Sequence, residues 1–323
     1  MGRRLANLTG KLERRLWPGS PVILIYHRVT ELASDPWGLA VAPDRFAEQV
    51  EALARVRRIV PLGDLVRLLR EGVRSDVPVD RPLAAITFDD GYHDACTAAR
   101  PILERLDCPA TVFVATGLIG TTREFWWDEL ARIILETPKL PQVLATTFDG
   151  RRRVWQVPDG ADGHGRGRLC RQLRRRLRDL PPARIDEHLA QLCQWAGLER
   201  SARPEHRAMT GEEVASLAGG PLSVGAHTVG HPSLPRLRAA DQRAEIEQSR
   251  KTCEALTGAP VEHFAYPFGH YDRTSVEVVR AAGFHSSCAT SEGVVRPWTD
   301  PQRLPRISPG RLTGEGLLRL LGA

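Results

Sequence analysis

The chain has 323 residues, 42% of them hydrophobic and 26% charged, which is enough apolar material to bury a full core and too much for a disordered segment. A formal net charge of +6 and an isoelectric point near 9.3 suit an anionic partner or an ordinary basic surface equally, so charge decides neither fold nor site. The six cysteines, Cys96, Cys108, Cys170, Cys193, Cys253 and Cys288, are scattered without a C-x-x-C pair, which argues against a cysteine zinc site and a disulfide framework.

Residues 1–20 form a basic segment in which Leu5, Leu8, Leu12 and Leu16 recur at helical spacing among Arg3, Arg4, Lys11, Arg14 and Arg15, with Trp17 following. Its apolar stretch is too short for a signal peptide or a spanning helix, so a cytoplasmic location is expected. Residues 3–17 could lie on an anionic membrane surface, or pack their leucine stripe on their own domain.

Residues 21–26 read as a buried strand that ends at His27-Arg28. A helix is predicted over 43–56, with Phe46, Val50 and Leu53 on one face, then a short strand at Ile59-Val60 and a helix over 63–71. After a polar loop, the apolar run from Leu83 to Phe88 ends in two adjacent carboxylates, Asp89 and Asp90, followed by Gly91 and Tyr92. A helix over 94–106 and a strand over 110–115 continue the alternation, which implies βαβ units and a parallel sheet.

The rhythm breaks from 117 to 208. Phe125-Trp126-Trp127-Asp128 opens a short helix, a hairpin turns at Asp149-Gly150, and two amphipathic helices follow, carrying Leu169, Leu173, Leu177, Leu180 and then Ile185, Leu189, Leu192, Trp195. This reads as a mainly helical insertion or lid. Its arginine run, 171–178, lacks interleaved aromatics and is read as a solvated face, with no nucleic-acid partner expected. The α/β rhythm resumes at Thr210, a capping-box start with Glu213, and runs through a strand at 222–226, a long helix over 240–256, a strand at 264–266, the turn Pro267-Phe268-Gly269 and a strand over 284–289.

His227 and His231 stand four apart at a predicted strand end, and with Asp90 make the two-histidine, one-carboxylate set that binds a divalent metal on one face. Two adjacent carboxylates disfavour each other's ionisation unless a cation relieves them. Asp90 would then ligate, leaving Asp89 to take a proton from a water on the metal, a chemistry suited to hydrolysis of an amide or ester. The backbone N–H groups of Gly91 and Tyr92 could serve the oxyanion.

Thr87-Phe88-Asp89-Asp90-Gly91, His227-Thr228-Val229-Gly230-His231 and Phe264-Ala265-Tyr266-Pro267-Phe268-Gly269 resemble, in order, the first three motifs of the polysaccharide deacetylases of carbohydrate esterase family 4. The resemblance implies an irregular (β/α) barrel, formed here by 21–116 and 209–323 with 117–208 inserted. It implies removal of an acetyl group from an N-acetylated sugar, with Asp89 as general base and Asp90, His227 and His231 as ligands of zinc or a similar divalent ion. Pro267 and Phe268 would wall the substrate groove, while Tyr92 and Trp127 are candidate substrate contacts.

Two departures stand out. Where many members carry an arginine to orient the base, this chain has Ala265, and Arg306 is the candidate replacement, with Arg28 second. The family's late Leu-x-His acid is absent, and His27 is the candidate substitute. The readings left open are a hydrolase of a non-sugar amide, since the same groups would serve any accessible acyl carbonyl, and a carbohydrate-binding barrel without catalysis.

Overall fold

The structure is a computed structural model, and it describes residues 19–71, 81–148, 150–158 and 163–322. Residues 3–17, read as meeting a membrane surface or packing on their own domain, and Asp149 of the expected hairpin turn lie outside the described residues. No helix among the described residues is long and apolar enough to cross a membrane. The chain divides into two compact units, Met1–Ile119 with Met209–Ala323, and Gly120–Ala208.

In chain order the strands are β1 (Val22–Tyr26), β2 (Arg28–Val29), β3 (Ala40–Val41), β4 (Arg58–Ile59), β5 (Leu83–Phe88), β6 (Ala110–Val114), β7 (Val143–Phe148), β8 (Arg151–Gln156), β9 (Leu222–Ala226), β10 (His263–Ala265) and β11 (Ser286–Cys288). In the first unit β1, β5, β6, β9, β10 and β11 pair side by side in that order, all parallel, and β4 joins the start of β5. Parallel strands are covered on both faces, and so read as continuous apolar runs. Every residue of β1, β5 and β6 is buried.

Residues 304–307 close the ring. Leu304 bridges Cys288 of β11 while Ile307 bridges Leu24 of β1, its amide donating to the Ile23 carbonyl at 2.8 Å and its carbonyl accepting from Ile25 at 3.0 Å. The result is an irregular (β/α) barrel with fewer strands than the usual eight. Alternate side chains separate two cores. Val22, Leu24, Ile86, Val112 and Val114 join the main cluster with the helices, whereas Ile23, Ala85, Phe113, Ala265, Cys288 and Leu304 belong to a second.

Most predicted elements form with small shifts at their ends. Residues 94–106 do not make one regular helix. A π-helical turn, Ala95–Ala99, runs into a helix at Arg100–Arg105, because Pro101 has no N–H to return to the carbonyl of Thr97. The parallel pair β2 and β3 was not expected, each strand being too short to carry a period. Thr210 and Glu213 do make the reciprocal capping box, with bonds of 3.1 and 2.8 Å.

The second unit has a helix at Trp126–Ala131, the antiparallel hairpin of β7 and β8, and helices at Gly163–Leu177 and Pro182–Ala196. Leu169, Leu173, Leu177, Ile185, Leu189 and Leu192 are buried, as their helical spacing requires. Arg203 clasps the buried Glu124 carboxylate through both arms of its fork, at 2.8 and 2.9 Å.

Candidate active site

The carboxylate pair follows directly on β5, at the carboxyl end of the barrel strands, where such folds gather functional groups. The Asp89 amide donates to the Tyr26 carbonyl at 2.9 Å and the Asp90 carbonyl accepts from Ala115 at 3.0 Å, so neighbouring strands on both sides fix the doublet. Asp90 and Gly91 then turn with φ of 75° and 87°. A Cβ on Gly91 would lie 3.1 Å from Val114 Cγ1 and 3.3 Å from its Cα, which reserves the position for glycine. The Gly91 N–H donates to the Asp89 carbonyl at 3.0 Å, so of the two amides expected to serve an oxyanion that of Gly91 is taken up by the tight turn itself.

Asp89 is gripped by Arg306, with Nη1 donating to Oδ1 and Nη2 to Oδ2, each at 2.7 Å. The same guanidinium donates from Nη1 to Thr87 Oγ1 at 3.1 Å and from Nε to the Ala289 carbonyl at 2.9 Å, and both side chains of the ion pair are buried. Burial alone would raise the Asp89 carboxyl, but the adjoining Arg306 charge, with His227 and the Arg306 hydrogen bonds, holds it below the ordinary carboxylate range. Arg28, the second candidate for this task, is engaged elsewhere. Its Nε donates to Asp94 at 2.9 Å, because the preceding strand end turns it toward the Asp94 carboxylate that also holds the Val29 amide at 2.8 Å.

Asp90 meets the histidines. Its Oδ1 lies 3.4 Å from His227 Nε2 and 3.2 Å from His231 Nε2, and one ligand atom from each of the three buried residues can be chosen within 4.8 Å of the others. His227 Nδ1 lies 2.7 Å from the Ala265 carbonyl, which can only accept; a proton therefore sits on Nδ1, and in the neutral ring Nε2, turned toward Asp90, is the nitrogen free to ligate. Two imidazole nitrogens and a carboxylate oxygen on one side of a buried site fit a divalent cation. Burial pushes His227 down, yet the hydrogen bond to Asp90 and the two carboxylate charges outweigh it and raise the group. Burial prevails at His231 and lowers it, aided by the His227 charge.

Backbone strain concentrates here. Among the described residues five non-glycine positions have positive φ, and four of them, Asp90, Thr228, His231 and Phe268, belong to the three motifs. Pro267 is buried, and the half-buried Phe268 sets its ring at right angles to His231, with centroids 4.5 Å apart. His27, at the end of β1, is half-buried and within electrostatic reach of both Asp89 and Asp90.

Two expected substrate contacts are corrected. Tyr92 is wholly buried, with the Arg28 guanidinium 4.3 Å above its ring, because the turn after Gly91 sends it inward. Trp127 is buried too, stacked on Phe125 at 4.9 Å and edged by Trp126 at 5.4 Å, as an apolar anchor of its own unit. Sequence reasoning missed the Ala265 carbonyl, whose role no side chain announces, and Glu245, which accepts the Val229 and Gly230 amides at 2.8 Å each.

The family profile described as polysaccharide deacetylase matches residues 76–140 and 198–287. No curated protein matches the chain. Among solved structures, the Streptococcus pyogenes deacetylase PplD in complex with acetate is 19% identical, with a TM-score of 0.56 over 94% of this chain and 98% of its own. IcaB from Ammonifex degensii is 19% identical, with a TM-score of 0.58 over 94% and 96%. The de-N-acetylase from Aggregatibacter actinomycetemcomitans is 13% identical, with a TM-score of 0.53 over 89% and 94%. At these identities the structures speak for the fold, which is the same closed parallel barrel. Family profile and fold agree, and the chain belongs to the polysaccharide deacetylase family.

Proposed function

We propose that the chain is a metal-dependent hydrolase that removes the acetyl group from an N-acetylated sugar, borne on a glycan, a carrier or a small glycoside. One observation carries the reading: the buried donor set of Asp90, His227 and His231 stands beside a second carboxylate, Asp89, kept ionised by Arg306. Asp90, His227 and His231 would hold the ion, zinc or a similar divalent cation. When bound, such an ion acidifies water and polarises an acyl oxygen.

The chain's own groups supply the rest. Asp89 accepts the proton of the attacking water as its oxygen bonds to the acetyl carbon, and the Arg306 fork keeps both carboxylate oxygens in register for that transfer. His27 gives a proton to the sugar nitrogen as the carbon–nitrogen bond breaks, which releases acetate and a free amine. Phe268, braced against His231, forms a wall beside the reacting acetyl. Ala265 contributes its carbonyl, which holds the tautomer of His227.

The test pairs metal content with acetate release from a panel of N-acetylhexosamine oligomers and glycosides. Stoichiometric metal and acetate release, abolished by a chelator and restored by zinc, is the expected result. Stoichiometric metal without acetate from any sugar would point to a non-sugar amide. Absence of metal would point to a binding barrel.

A further inference from the structure

His227 and His231 are the two ends of one short loop, and that loop has a shape it would not keep unaided. Thr228 and His231 both sit in the left-handed region, with φ of 67° and 54°, where residues bearing a side chain rarely stay without outside restraint. The restraint comes from two sides. From one, the amides of Thr116 and Gly117 donate to the carbonyls of Thr228 and Val229 at 3.1 and 2.9 Å. From the other, a single oxygen, Oε2 of Glu245, accepts the amides of Val229 and Gly230 at 2.8 Å each. The next amide, that of His231, donates to Thr228 Oγ1 at 3.1 Å.

Glu245 lies on the helix Ala239–Thr257, 14 residues past His231, and acts on the backbone of the loop. Its carboxylate replaces the regular backbone partner that two consecutive loop amides would otherwise need. The helix is packed on the barrel through buried Ile246, Ser249 and Cys253, so the carboxylate is delivered from a fixed element.

We infer that Glu245 is a positioning residue that sets the separation of His227 and His231 for the cation, by accepting two amides of the loop between them. The inference rests on the metal-dependent reading of this site.

The experiment compares wild type with Glu245→Ala, Glu245→Gln and Glu245→Asp. Zinc dissociation constants are measured by competition with a chromophoric chelator, and melting temperatures are taken on the metal-free proteins. Glu245→Ala is expected to weaken zinc by about 10-fold or more, the range found for groups that orient metal ligands from behind. Glu245→Gln keeps an acceptor oxygen and should stay within about threefold of wild type, whereas Glu245→Asp keeps the charge but falls one methylene short and should weaken zinc as Ala does. Aspartate also guards against a failure of the alanine variant to fold. Wild-type affinity in the Ala and Asp variants, or a Gln variant as weak as Ala, would overturn the inference. A wild-type protein that takes up no zinc would overturn the metal reading itself, an outcome distinct from selective loss in the variants.

Discussion

Arg306 and Asp89, 217 positions apart in the chain, meet through two hydrogen bonds of 2.7 Å inside the barrel. Removing one partner of a buried pair strands the other charge, which typically costs about 3–5 kcal/mol. Arg306→Ala should therefore lower unfolding stability by that amount in urea titrations and remove most turnover. Arg306→Lys, unable to fork, should recover part of the stability and little activity. Pairing Arg306→Met with Asp89→Asn should restore stability without restoring turnover. A stable, fully active Arg306→Ala would refute the assigned pairing.

His27 is tested by separating metal from chemistry. His27→Ala should retain stoichiometric zinc while acetate release falls by about 10²–10⁴-fold, the usual contribution of a positioned acid. Undiminished turnover would remove His27 from the mechanism.

Gly117 probes the loop from the side opposite Glu245. A Cβ there would stand 2.7 Å from the Val229 carbonyl oxygen, too close for any side chain without displacing backbone. Gly117→Ala should destabilise the protein by about 1–3 kcal/mol, as overpacking does, and weaken zinc in the same competition measurement. Unchanged affinity would show that the loop absorbs the push without moving its imidazoles.

His263 gives the stability a pH dependence that has nothing to do with turnover. Burial, with the nearby His285 charge, pushes it down to about 4, while the unfolded chain takes its proton near 6.5. Between these values the unfolded state binds more protons, so the stabilisation is present above about 6.5 and drains as pH falls toward about 4, about 3 kcal/mol in all. Urea midpoints at pH 7.5, 5.5 and 4 should fall less steeply for His263→Gln than for wild type. Equal slopes would place the acid sensitivity elsewhere.

The strands and the three motifs were legible because each is a local pattern: an apolar run ended by a turn, or polar residues at fixed spacing after a strand. Asp90, His227 and His231 could be grouped from that pattern, and the structure brings their donor atoms together. What stayed hidden depends on three-dimensional direction. Tyr92 follows Gly91 in sequence, but a positive φ at Gly91 turns it into the core. Trp127 is a candidate substrate contact by residue type and proves to be packed within its own unit. Glu245 sits among the charges of an amphipathic helix, where nothing in its spacing separates it from neighbours that face solvent. The Ala265 carbonyl belongs to the backbone, and composition is blind to it.

The ring-closing segment 304–307 ties the ionisation of Asp89 to completion of the barrel. A chain that folds from its amino end can pair β1 through β11 before residue 304 arrives, and contacts this distant in sequence are the slow ones to form. In the closed ring burial alone would favour the neutral Asp89, and it is the Arg306 charge that offsets it. Arg306 lies within the closing segment and brings the cation to Asp89. The stretch of chain that completes the topology and the charge that keeps Asp89 ionised are therefore one and the same, and neither is present without the other.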